Sequence, residues 1–141
     1  VSMQENVDLL LRHPLGSLLG YFTVAILGLV VFLSFFEMVT KYNCWEEIRK
    51  GNVAAAMATG GKIFGICNIL RFSIQAGASI YETMKWSVVG FLLLLLAYFL
   101  FEFLTPVFSI DEEIAADNRA VGLTALLISV SLSYVIGASI M

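Results

Sequence analysis

Four apolar runs, each close to twenty residues or longer, follow one another along the chain, and no other feature limits its fold so strongly. They are "LGSLLGYFTVAILGLVVFLSFFEMV" at 15–39, "VAAAMATGGKIFGICNILRFSIQ" at 53–75, "WSVVGFLLLLLAYFLFEFL" at 86–104 and "RAVGLTALLISVSLSYVIGASI" at 119–140. A bilayer core of about 30 Å is crossed by about 20 apolar residues rising 1.5 Å each. In hydrocarbon every backbone N–H and C=O must be bonded internally, which leaves helices and closed barrels. These runs are too long for barrel strands and lack the alternation of lipid-facing and lumen-facing residues. One such run could be a buried helix of a soluble domain, but four with so little polar chain between them could not. The expectation is therefore an all-α integral membrane protein with four transmembrane helices. Composition agrees: 13% of residues are charged and 60% hydrophobic, against about 25% charged in soluble domains.

The chain also repeats itself. The first run ends "FFEMVT" at 35–40 and the third ends "LFEFLT" at 100–105. Each is followed by a short polar stretch and then a shared phrase, "EEIRKGNVAAA" at 46–56 and "EEIAADNRAVG" at 112–122, 66 residues apart. The order in each half is apolar run, Glu, Thr, polar loop, Glu-Glu-Ile, Asn, small-residue run. A tandem two-helix unit follows. Because each unit crosses twice, the halves point the same way, giving two parallel-oriented tandem helical hairpins with pseudo-two-fold symmetry about the membrane normal. The divisions are a polar interfacial segment 1–14, a first two-helix repeat 15–75, a connecting loop 76–85 and a second two-helix repeat 86–141. Both termini then share one side of the membrane. Lys41, Arg49, Lys50 and Arg119 lie on the loop side and Arg12, Arg71 and Lys85 on the terminal side, and four against three favours cytoplasmic loops.

The first residues, "VSMQENVDLLLRHPLG", do not read as a signal peptide, since Arg12 and His13 follow the leucines. Asn6 or Asp8 is expected to cap a short surface helix over Leu9–Leu11, with Pro14 ending it or opening the next helix. His13 has no second ligand near it in sequence, and Cys44 and Cys67 form no CxxC or Cys/His cluster, so no metal site, cofactor or disulfide framework is expected. The net charge of −3 implies no nucleic-acid partner.

The repeated phrase reads as a membrane re-entry device. Trp45 suits the interfacial aromatic belt, residues 45–50 can form a surface turn, and Asn52 and Asn118 are expected to cap the second and fourth spans. The alternative, an acidic cation or partner site made of Glu46, Glu47, Asp111, Glu112 and Glu113, lacks the spacing of a calcium loop. Glu37 and Glu102 sit just inside span ends, related by the repeat. Lys62 lies ten residues beyond Asn52, about 15 Å deep at 1.5 Å per residue. A charge there costs at least about 2.5 kcal/mol unless partnered or hydrated. It can snorkel, pair with Glu37 or Glu102, or line a conduit, and its mate by the repeat offset is Ile128. Glu37, Lys62 and Glu102 are the candidate intramembrane polar site. Small residues mark a helix-packing seam: Gly61 and Gly65 in the second span, and Ala125, Ser129, Ser133 and Gly137 at i,i+4 in the fourth. These spans are expected to form an inner pair or an oligomer seam, while Leu92–Leu96 suit lipid.

"TKYNCWEEIRKGNVAAAMATGGKIFG" and its echo "TPVFSIDEEIAADNRAVG" resemble the bacterial inner-membrane family labelled domain of unknown function 350, over roughly residues 16–140. The matching positions are Thr40, Trp45, Ile48, Asn52, Ala54, Ala55, Gly61 and Gly65, then Thr105, Pro106, Ile114, Asn118 and Ala120. Lys41 departs from the pattern where a Pro would follow Thr, as do Val121-Gly122 in place of Ala-Ala and Lys62 within a span. The resemblance implies two tandem two-span repeats in the bacterial inner membrane, and no chemistry.

Catalysis has little support, because no Ser/His/Asp set, zinc motif or phosphate loop is present. The expectation is a non-enzymatic scaffold or accessory subunit of a homo-oligomer or larger membrane complex, with the lipid bilayer and other membrane subunits as partners. The alternative is a small channel or transporter with a path through Glu37, Lys62 and Glu102.

Overall fold

The computed structural model describes residues 3–77, 79–104 and 109–140. Thr105 and Pro106 lie outside the described residues. Among the described residues seven helices follow in order: α1 (Met3–Arg12), α2 (Pro14–Val39), α3 (Cys44–Arg49), α4 (Val53–Ala76), α5 (Ile80–Leu104), α6 (Ile110–Ala115) and α7 (Arg119–Ile140). Among the described residues α2, α4, α5 and α7 are long and apolar enough to cross a membrane, so the chain is an all-helical integral membrane protein. The short α3 and α6 lie in the two loops.

The ends of these helices are written locally. His13 accepts a bond from Leu15 N at 3.2 Å and Pro14 takes the first helical position of α2, where its missing N–H is harmless. Surface helix α1 is longer than expected: it starts at Met3, so Asn6 and Asp8 lie within it and do not cap it. Gln4 and Glu5 are good helix formers, and α1 gains a neighbour by packing on α2. The third span also begins six residues before Trp86, at Ile80. Ser79 explains this: its hydroxyl accepts from Glu82 N at 3.3 Å, and its carbonyl accepts from Thr83 Oγ1 at 3.1 Å. Most of the expected 76–85 loop is therefore helix.

Helix α4 is the centre, packed on by α2, α5 and above all α7. The seam residues explain the last contact. A Cβ on Gly61 would lie 2.7 Å from Leu126 Cα, and one on Gly65 would lie 3.3 Å from the Ser129 carbonyl. Gly137 lies under the Phe72 ring, and Gly122 lies where a Cβ would be 2.7 Å from Ala54 Cα. These pairings show α4 and α7 running in the same direction in nearly equal register. Without side chains at these points the two backbones approach closely. The small-residue seam thus lies inside the chain. Ala125 packs beside the small cluster of Ala54, Ala55 and Ala58 with Ile110 and Ile114 near the loops.

A second cluster fills the middle of the bundle, around Phe32, Phe36, Ile66, Ile69, Phe91 and Leu94. Its rings pack closely: Phe32 stacks on Phe91 at 4.4 Å, and Phe36 meets Phe91 edge-on at 5.5 Å. Leu94 is buried here, whereas Leu92, Leu93 and Leu96 are exposed, so the leucine run of span three is only partly a lipid-facing surface. The outer faces of α2 and α5 carry exposed apolar side chains such as Leu18, Phe22, Leu27 and Phe99, which suit acyl chains.

Candidate functional site

At the loop end of the bundle, Lys62 is 5% exposed and reaches back along α4 to the end of α2. Its ammonium donates to Thr40 Oγ1 at 3.2 Å. It also lies 5.4 Å from the centre of the Phe36 ring and 5.1 Å from that of Tyr98, close enough for cation–π attraction. Thr40 caps α2 twice, through its backbone N–H to Phe36 O at 3.0 Å and its hydroxyl to the same carbonyl at 2.6 Å. The lysine thus snorkels, but into protein rather than water.

The carboxylate nearest in role is Asp111, at 4% exposure. It accepts the Tyr98 hydroxyl at 2.6 Å on Oδ1 and the Lys41 backbone N–H at 3.1 Å on Oδ2. These two bonds join α5, α6 and the loop after α2. The ion pairs among the described residues lie elsewhere, nearer the surface: Lys50 with Glu46 and Glu47, Lys85 with Glu82, and Arg119 with Asp117. Lys62, Tyr98, Asp111 and Ser129 line one cavity of about 20 Å³, room for about one water. Phe36 and Phe101 line it too, as do Lys62 and its repeat mate Ile128. Positions matched by the sequence offset therefore meet around it, and of these Lys62 supplies a cation.

Glu37 and Glu102 are placed differently from one another. Glu37 is half-buried and accepts the Cys44 backbone N–H at 3.2 Å, pinning the start of α3. Its charge and that of Asp111 both reach the Lys62 ammonium. Glu102 is half-buried on α5 one turn beyond Tyr98, and it is Asp111 that holds the tyrosine. Burial pushes the Cys44 thiol up to about 11, helped by its hydrogen bond to Glu37 and opposed by the nearby Lys62 charge. Burial likewise raises Tyr42, with negative charge at Cys44, Asp111 and Glu37 acting in the same direction.

The repeated phrase forms matched helix entrances. Asn52 Oδ1 accepts from Ala55 N at 2.9 Å, and Asn118 Oδ1 from Val121 N at 3.4 Å. Asn52 Nδ2 donates to Glu47 Oε2 at 3.2 Å, and Asn118 Nδ2 to Glu113 Oε2 at 2.8 Å. The turn before each Asn uses a left-handed residue, Gly51 at φ 91° and Asp117 at φ 60°, which glycine and aspartate tolerate better than most. The second glutamate of each Glu-Glu pair is thus part of the entrance.

The model of the family described as Domain of Unknown Function (DUF350) matches residues 9–140. The chain belongs to this family. A UPF0719 transmembrane protein of Bacillus subtilis, YshE, is 55% identical over 129 residues, covering 92% of this chain and 96% of that protein. The UPF0719 inner membrane protein YjfL of Escherichia coli K12 is 28% identical over 114 residues, 79% of this chain and 85% of its own length. No solved structure matches the chain.

Within this DUF350 chain, sequence reasoning found Lys62 but missed Thr40 and Tyr98 as its surroundings, and grouped Asp111 with the solvated loop acids. One signal was present for Asp111. It follows Ser109 and Ile110, of which Ser109 caps α6 through Glu112 N at 3.5 Å and Ile110 is 1% exposed. A carboxylate next to a buried anchor in a six-residue helix has little room to reach water.

Proposed function

We propose that this chain is a non-enzymatic membrane scaffold or accessory subunit, working in the bacterial inner membrane by assembling with copies of itself or with other membrane subunits. The observation that carries this reading is the use made of Lys62. Its charge is spent at one end of the bundle, binding the end of α2 beside the Asp111–Tyr98 bond that ties α5 to α6. Next to it, towards the other face, packs the aromatic layer of Phe32, Phe36 and Phe91. A lysine that closes a joint above a packed core serves architecture. The wide apolar faces of α2 and α5 supply area for neighbours as well as for lipid, and the matched entrances support a tandem duplication of one hairpin with a pseudo-two-fold relation.

The channel or transporter reading keeps one observation in its favour: Lys62, Tyr98 and Asp111 face a common cavity. Intramembrane charges of this kind mark ion paths in other settings. The test compares native and Lys62→Leu protein, by size of the complex cross-linked in native membranes and by proton and potassium flux in liposomes. A scaffold gives a complex larger than one chain and flux equal to empty vesicles. A monomer whose flux is abolished by Lys62→Leu would overturn the proposal.

A further inference from the structure

We infer that the groove between α4 and α7 at the terminal end of the bundle binds one anionic phospholipid, with its phosphate on Arg71. Arg71 is exposed and lies eighteen residues after Val53, about 27 Å along α4 at 1.5 Å per residue. That is nearly one hydrocarbon thickness from the loops, at the depth of the opposite headgroup layer. Its guanidinium stands 4.5 Å from the centre of the Phe72 ring and 5.9 Å from that of Tyr134. Rings of α4 and α7 therefore hold the cation in place from both helices, which lowers the entropy lost when an anion binds it.

The groove beside it has a volume of about 250 Å³ and is lined by Phe64, Cys67, Asn68, Arg71 and Tyr134. Cys67 and Phe64 lie one and two helical turns deeper than Arg71, so the lining becomes apolar towards the bilayer centre. A cation above an apolar channel matches a molecule with an anionic head and an acyl tail lying parallel to the helices. Asn68 is tied to Ser133 Oγ at 3.0 Å, which keeps the floor of the groove in one shape. Arg71 takes part in none of the ion pairs among the described residues, whereas Lys85 at the same membrane end is paired with Glu82 at 3.5 Å. An arginine fork binds phosphate oxygens in pairs, and in a bilayer a lipid phosphate is the anion found at this depth. A zwitterionic lipid brings its own ammonium to the same place, so the net-anionic headgroup is preferred.

Cys67 reports occupancy, because it is exposed and Cys44 is buried. Protein in a neutral detergent is given phosphatidylglycerol, phosphatidylcholine or inorganic phosphate, and the alkylation rate of Cys67 by N-ethylmaleimide is followed while native mass spectrometry counts retained lipid. Phosphatidylglycerol is expected to slow alkylation about tenfold relative to phosphatidylcholine, the factor that ~1.4 kcal/mol of differential binding gives, and one lipid is retained. Arg71→Gln should abolish both effects and Lys85→Gln neither. Equal protection by the two lipids in the unaltered protein overturns the inference without any variant being made. So does equal loss in both variants, which would mean diffuse charge, and so does full protection by inorganic phosphate, which would mean a small-anion site.

Discussion

Lys62 reaches the loop end because helical side chains lean towards the N-terminus of their helix, and in α4 that end faces the loops. A long stem then carries the charge one or two turns upwards, where Thr40, Phe36 and Tyr98 wait. The sequence revealed the cost of this lysine but not its partners, since Thr40 is 22 residues away and is brought close only by the packing of α2 on α4. Removing a buried charge leaves its neighbours uncompensated. Lys62→Met is expected to lower stability by about 2–3 kcal/mol, and Asp111→Ala, which strands the Tyr98 hydroxyl and the Lys41 N–H, by about 2–4 kcal/mol. Unfolding in mixed micelles measures both, and the double change should cost less than the sum because the sites share one field. Cys44 supplies a pH prediction. Its thiol is raised from 9.0 to about 11, so the folded state holds its proton more tightly than the unfolded state. The stabilisation linked to that proton is complete below pH 9.0 and disappears as pH rises through about 11. Since the thiolate is the nucleophile, iodoacetamide at pH 8 should modify Cys44 about a hundredfold more slowly in the folded protein than after denaturation. A rate equal in the two states would contradict the buried placement.

At the scale of helices, the four spans were legible because length and apolarity are local properties. The start of α5 was not, since it depends on Ser79 within a polar stretch that hydropathy alone reads as loop. The seam between α4 and α7 was legible too, as small residues at i,i+4 leave a flat ridge. Sequence could not decide whether that ridge met a helix of the same chain. Two adjacent glycines separate the effects of packing and propensity. At Gly61 a new Cβ would sit 2.7 Å from the Leu126 backbone, while at Gly60 it meets nothing within 4 Å. Gly61→Val is therefore expected to cost about 2–3 kcal/mol by forcing the helices apart. Gly60→Ala should be neutral or stabilise by about 0.5–1 kcal/mol through helix propensity. Thermal unfolding of the two variants in the same detergent is the comparison, and similar destabilisation by both would mean that α4 does not lie against α7 as described.

For the whole molecule, the interest lies in how far the two halves differ. The repeated phrase was readable as two equal entrances, and within each half the bonds do recur: cap, turn and Glu–Asn bond. At the loop face, four bonds between the halves among the described residues run one way. Asn52 Nδ2 donates to Ile114 O at 2.8 Å and Ala115 O at 3.2 Å, Ala54 N donates to Asp117 Oδ1 at 3.0 Å, and Lys41 N donates to Asp111 Oδ2 at 3.1 Å. In each case the first half gives the hydrogen and the second half accepts it. This polarity matches the charged residue types: the second half carries Asp111 and Asp117 where the first carries Trp45 and Gly51. A pair of identical hairpins could not make this distinction, whereas one covalent chain can assign each half its own role. Asn52 is 6% exposed and Asn118 is half-buried, as the asymmetry requires. Asn118→Ala should then lose a cap and one side-chain bond, about 1 kcal/mol, whereas Asn52→Ala also loses its two bonds to the Ile114 and Ala115 carbonyls at the joint and should lose about 2–4 kcal/mol. Chemical unfolding of both variants decides the matter. Equal losses would mean that the halves are joined through their apolar seam alone, and that the hydrogen bonds across the loop face add nothing to holding them together.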